Sequence, residues 1–136
     1  MKSITELNNI ASQVRRDIVR QTWLAKSGHP GASLGCADLM TALYFGILEK
    51  KLPFNMEGSD EDLFFLSNGH ISPVFYSVLA RSGYFDIHEL SSFRKLNSRL
   101  QGHPTTHEHV PGVRIASGSL GQGLSVAVGA GLGGRI

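Results

Sequence analysis

The chain has 136 residues, 41% of them apolar and 18% charged, with a net charge of +2 and a single cysteine, Cys36. That size and balance suit one globular domain with a real hydrophobic core and argue against disorder. They also exclude partner classes: 13 basic residues scattered among 11 acidic ones make no nucleic-acid-binding patch, and no run approaches the roughly 20 apolar residues that cross a bilayer.

Ser3-Ile4-Thr5-Glu6 reads as a capping box that opens a helix. Leu7, Ala11, Val14, Ile18 and Ala25 then share one face, and the helix should end near Ser27 because Gly28-His29-Pro30-Gly31 cannot continue it. Cys36 to Lys50 fits a second helix, with Leu39, Leu43 and Ile47 in register and lysines at its C-terminal end. The short apolar run from Asp62 to Ser67 predicts a buried strand of the parallel type, followed by a turn at Asn68-Gly69 and a helix over 73–82.

Asp86 to Glu89 looks like another capped start, running to about Lys95. Residues 97–111 have no period and carry Gly102, Pro104 and Pro111, which marks a loop. Val113 to Ala116 reads as a brief second strand. From Gln122 onward small residues alternate with Leu124, Val126 and Val128, which predicts a helix packed closely against its neighbours. No repeat, linker or domain boundary interrupts the chain. A lone cysteine cannot close an internal disulfide, and residues 1–7 lack the apolar run of a signal peptide, so a cytoplasmic location with no membrane partner is expected.

Four segments can carry chemistry. Gly28-His29-Pro30-Gly31 holds a histidine stiffly at a helix-to-loop junction, where its near-neutral pKa suits proton exchange with hydroxyl or carbonyl groups; an ordinary helix cap and turn would read the same. Ser67-Asn68-Gly69-His70 follows the predicted strand and precedes a helix, the place where α/β proteins bind ligands, although an Asn-Gly turn alone needs no ligand. Gly102-His103-Pro104 repeats the stiff histidine turn. His107 and His109 nearby do not make a metal site, because no cysteine or capped helix fixes such ligands. Residues 117–123 form a glycine-rich turn that lets a flat ring or phosphate approach the backbone closely, yet match neither the dinucleotide nor the Walker pattern.

Together and in this order, residues 26–32, 66–70, 101–104, 111–113 and 117–123 resemble the N-terminal domain of the transketolase family, and the similarity runs over essentially the whole chain. The resemblance implies an α/β fold, a partial thiamin-diphosphate-binding fold of mainly helices with a short parallel sheet, of which residues 1–136 are an incomplete part. It implies transfer of a two-carbon ketol unit between a ketose phosphate and an aldose phosphate, with sugar phosphates as partners and a homo-oligomer as the assembly. His29 matches a residue that binds and polarises donor and acceptor. His70 matches one beside the cofactor diphosphate and the substrate, and His103 one that hydrogen-bonds the hydroxyl next to the donor carbonyl. Gly118, Ser119, Leu120 and Gln122 fall in the stretch that lines the cofactor.

The family's next motif, Gly-Asp-Gly followed by an Asn, holds the Mg2+ or Ca2+ that neutralises the diphosphate. It does not occur here, nor does the second domain with the glutamate that activates the aminopyrimidine. The chain is therefore expected to be truncated, to lack a C-terminal section or subunit, and to be inactive alone. A dihydroxyacetone synthase shares these motifs and is the nearest alternative; a non-catalytic remnant or assembly module is another. Deoxyxylulose-phosphate synthases read differently at the histidine motifs.

Overall fold

Helix α1 spans Ile4–Ala25 and begins on the expected capping box, with the Glu6 amide donating to Ser3 Oγ at 3.3 Å and the Ser3 amide donating to Glu6 Oε2 at 2.8 Å. It buries Ala11, Val14, Asp17, Ile18 and Gln21 along one stripe. Lys26 turns left-handed and donates its amide to Thr22 and Trp23 carbonyls, which ends the helix. The computed structural model describes residues 2–134.

The second helix departs from expectation at its start. Pro30 opens α2 (Pro30–Gly35), because its fixed φ and missing N–H suit the first helical position. A kink at Cys36 separates it from α3 (Ala37–Ala42), which runs into a π-helical turn at Leu43–Ile47, closed by the Leu48 amide on the Leu43 carbonyl at 2.8 Å. Helix α4 (Ser72–Arg81) is the centre of the molecule: every residue from Ser72 to Ala80 is buried. Helices α1 and α3 pack against it, and the helix expected from Asp86 to about Lys95 is instead a 3-10 turn, Ile87–Ser92, capped by Asp86 and lying over α1 and α4.

Val14, Ile18, Tyr44, Val74, Phe75 and Leu79 belong to the resulting core. Polar groups inside it are matched across α1 and α4. Gln21 Nε2 donates to Ser77 Oγ and to the Pro73 carbonyl, both at 3.1 Å, and Arg81 donates to both oxygens of Asp17. Loops are tied in by the Arg114–Glu61 ion pair, 2.7 Å long, with Arg114 also donating to the Asn55 and Met56 carbonyls and lying over the Phe54 ring. Tyr76, fully buried, donates its hydroxyl to the Gln101 carbonyl at 2.9 Å. Tyr76→Phe keeps the ring and strands that carbonyl, so urea unfolding should show a loss of about 1 kcal/mol; an unchanged midpoint would count against the bond.

The expected α/β class, with its short parallel sheet, is overturned: the regular elements of the described residues are all helical, with no strand among them. Residues 62–67 are non-helical and bury Leu66, and 113–116 bury Val113, but neither forms a β-ladder, although the Asp62 amide donates to the Glu49 carbonyl at 2.7 Å. The apolar run encodes burial, whereas a strand also requires a neighbour to complete its ladder. Packing by Phe64 and Leu66 satisfies the first condition alone.

Helix α5 (Gln122–Gly133) forms where its pattern predicts, yet it does not pack as expected. Of its residues Gly123 is buried, while Leu124 and Leu132 stand 68% and 59% exposed. Small side chains permit close approach without supplying anything to approach.

Candidate functional site

Each predicted histidine is presented by a different short element. His29 is the residue that caps α2, exposed, and preceded by Gly28 at φ +127°, where a side chain would be strained and would meet Thr22 Cγ2 at 2.9 Å. His70 sits in a 3-10 turn, Gly69–Ile71, that leads into α4. The His29 and His70 rings meet edge to face, with centroids 5.3 Å apart. His103 follows Gly102, whose carbonyl accepts from Ser72 Oγ at 2.7 Å, so the first turn of α4 holds this turn in place.

The glycine-rich loop closes the group. The Ser117 amide donates to the Pro104 carbonyl at 3.1 Å, and the position of a Cβ on Gly118 lies 3.2 Å from His103 Cδ2. Gly69 rests on the Ser117 carbonyl with no room for a side chain. Gly123 rests on the Ser67 backbone, where an added Cβ would come within 2.5 Å of Cα. The contacts at Gly69 and Gly123 are with backbone and require glycine. Ser119, Leu120 and Gln122 are exposed beside this junction.

The structure therefore brings His29, His70, His103 and Gly118 into one place. His107 and His109 lie on a separate turn around Thr106–Glu108. Among the described residues no three His, Cys, Asp or Glu side chains gather where they could hold a metal ion.

Two groups escaped the sequence reading. Arg94, with φ +58°, donates from Nη1 to Ser27 Oγ at 2.7 Å and borders an open cleft of about 530 Å3 with Ala25, Ser27, Gln101, Gly102 and His103. Ser117 Oγ is buried at the loop without a hydrogen-bond partner. Arg94 stands in no distinctive local pattern, and Ser117, although it opens the 117–123 motif, is set apart only by its missing partner.

Burial pushes the His103 imidazole below its ordinary 6.5, helped by the Arg94 guanidinium and by His29 and His70. A lowered folded-state pKa favours the neutral ring in the native protein. Its contribution to stability is thus complete above pH 6.5 and lost as pH falls through the lowered value. Denaturant midpoints measured from pH 7.5 to 5 should fall, and His103→Gln should flatten that fall; an equally steep curve in the variant would remove His103 as its source.

The family model described as transketolase, thiamine diphosphate binding domain, matches residues 6–135. A transketolase of Buchnera aphidicola is 46% identical over 130 residues, 95% of this chain and 19% of its own length. Transketolase 1 of Pasteurella multocida is 44% identical over the same share of each. Among solved structures, transketolase from Leishmania mexicana superposes with a TM-score of 0.84 at 33% identity, covering 95% of this chain and 19% of that one. A Pichia stipitis transketolase solved in complex with sedoheptulose 7-phosphate gives 0.76 at 37% identity, over 87% of this chain and 17% of its own. The chain spans about one fifth of the length of the curated relatives it matches, 19% in the first two. It belongs to the transketolase family, as an N-terminal thiamine-diphosphate-binding domain.

Proposed function

We propose that this chain supplies one part of a transketolase active site, in which thiamin diphosphate is bound and a two-carbon ketol unit passes from a ketose phosphate to an aldose phosphate. The observation that carries the reading is the convergence of His29, His70 and His103 on the glycine-rich loop at Gly118. The residues fit the cofactor. Ser117 Oγ is a buried polar atom without a partner, and the loop beside it is free of side chains where Gly118 and Gly69 sit. When bound, thiamin diphosphate supplies the nucleophilic carbon and the electron sink for breaking a bond next to a carbonyl.

The chain's own residues bind, orient and exchange protons. His29, exposed at the mouth, binds the reacting carbons of donor and acceptor and polarises their oxygens. His70, against it, serves the diphosphate and the substrate. His103, held neutral near pH 7, offers one ring nitrogen as donor and the other as acceptor to the hydroxyl next to the donor carbonyl. Gly118, Ser119, Leu120 and Gln122 line the cofactor through backbone and exposed edges.

A divalent cation, Mg2+ or Ca2+, belongs to the same proposal as the counter-charge of the diphosphate. Its ligands belong to other parts of the enzyme, since among the described residues no three His, Cys, Asp or Glu side chains gather to hold it. The working enzyme is read as a cytoplasmic homodimer of the pentose phosphate pathway whose remaining sections complete the site. Residues 1–136 act as one part of the diphosphate-binding domain and turn nothing over alone.

Grafting residues 6–135 in place of the matching segment of the Campylobacter jejuni transketolase, which is 36% identical over 94% of this chain, tests the reading. The chimera should transfer ketol units only with thiamin diphosphate, and His103→Ala should lower kcat/KM by about 10²-fold or more. A folded chimera that binds the cofactor without turnover, or one indifferent to His103, would refute the assignment.

A further inference from the structure

We infer that Arg94 is a positioning residue that clasps the two Gly-His-Pro turns together and so sets the aim of His29 and His103; the inference rests on the functional reading of those histidines. Three contacts define the clasp. The Arg94 amide donates to the Leu100 carbonyl at 2.9 Å, closing the loop that delivers Gly102-His103. Its Nη1 donates at 2.7 Å to Ser27 Oγ, one residue before Gly28-His29. Its guanidinium lies face-on against Gly102: a Cβ at that position would meet Nε, Cζ and Nη2 almost equally, so only glycine admits the stacked plane.

The arrangement is not that of a structural arginine in this protein. Arg15, Arg81, Arg99 and Arg114 each pair with a carboxylate, whereas Arg94 has no carboxylate partner among the described residues and its buried Nε has no acceptor. An unpaired, partly desolvated cation is costly where it does nothing. Its backbone is also left-handed, at φ +58°, a conformation that non-glycine residues hold only when surroundings over-determine it. The groups that act on His103 are Arg94, His29 and His70. Arg94 is the fixed charge among them, and after burial it is the largest influence disfavouring a second proton on the neighbouring imidazole.

A planar fork makes this possible and an ammonium does not. Lysine would retain the charge, lose the stacking on Gly102, and bond Ser27 from a flexible stem. Geometry and charge are therefore separable by substitution.

The test is an NMR pH titration of the histidine rings in the 136-residue chain, with no cofactor or sugar present. In Arg94→Gln, His103 should titrate at higher pH than in the parent, and the ring signals of His29 should shift. In Arg94→Lys, His103 should stay low while the signals of both turns still move. Should Arg94→Gln fail to fold, Gly102→Ala, which displaces the guanidinium, should reproduce its shift. A folded Arg94→Gln or Gly102→Ala protein whose His29 and His103 signals match the parent at every pH overturns the inference. In the chimera, Arg94→Gln should reduce kcat by about 10²-fold, as a misaimed catalytic group does. Unaltered titration with lost turnover would place Arg94 elsewhere in the reaction; altered titration in a chimera without ketol transfer would leave the clasp intact and remove the function.

Discussion

Arg114→Ala is expected to cost about 3–5 kcal/mol of folding free energy, because it abandons a buried charge. The Arg114 and Glu61 side chains are 6% and 2% exposed, so neither retains a hydration shell. Arginine answers that carboxylate and, at the same time, the Asn55 and Met56 carbonyls at 2.8 and 2.6 Å. Alanine leaves the Asn55 and Met56 carbonyls and Glu61 Oε1 without this donor, and the Glu61 carboxylate keeps only the Lys51 amide on Oε2 at 2.9 Å. Domains of this size are stable by only about 5–15 kcal/mol, so the urea midpoint should collapse, and the loop over residues 54–62 should open first in hydrogen exchange. The double variant Glu61→Leu with Arg114→Leu removes charge and counter-charge together and should be less damaging than Arg114→Ala. If the double change proves worse, the ion pair is not the reason.

Gly69→Ala should disconnect the site while leaving the helices standing. A Cβ there runs into the Ser117 carbonyl, and a backbone group cannot rotate out of the way as a side chain can. Either the Gly69–Ile71 turn or the Ser117 loop must move, at about 1–3 kcal/mol. His70 and Gly118 then no longer share a wall. Hydrogen exchange should rise in residues 117–123 with little change in α1 and α4. Gly31→Ala is the control: it lies in α2 with nothing within 4 Å of an added Cβ, so its stability should hold or improve slightly. Equal damage from both changes would mean that contact with Ser117 is irrelevant.

The two substitutions probe parts of the molecule that differed in legibility. The start of α1 could be read directly, since a capping box is a contract between residues three apart. So could the nature of the turns, because proline and glycine restrict or free the backbone whatever surrounds them. The Arg114–Glu61 pair could not be read, with its members 53 positions apart, and nothing local marks either as buried. The same applies to the bond from Arg94 to Ser27, 67 positions away in the chain.

The strand at 62–67 and the packed helix at 122–133 show the opposite error. Both patterns were real: Leu66 is buried and the helix forms. Each was read as if a periodic pattern carried its partner with it. Burial is a property of a residue and its surroundings, while a β-ladder or a helix interface is a property of two segments.

By itself, the sequence determined the family, the capped start of α1 and the turns that carry the three histidines and the glycine loop, since these rest on residue types at short spacing. The tertiary structure alone decided that the described residues form no sheet, that His29 and His70 touch, and that Gly69 seats the Ser117 loop. It also decided that an unpaired arginine stands between the two histidine turns. Local interactions are written in neighbours along the chain, but contacts across it arise only when the core has closed, and there distance in sequence carries no information about distance in space.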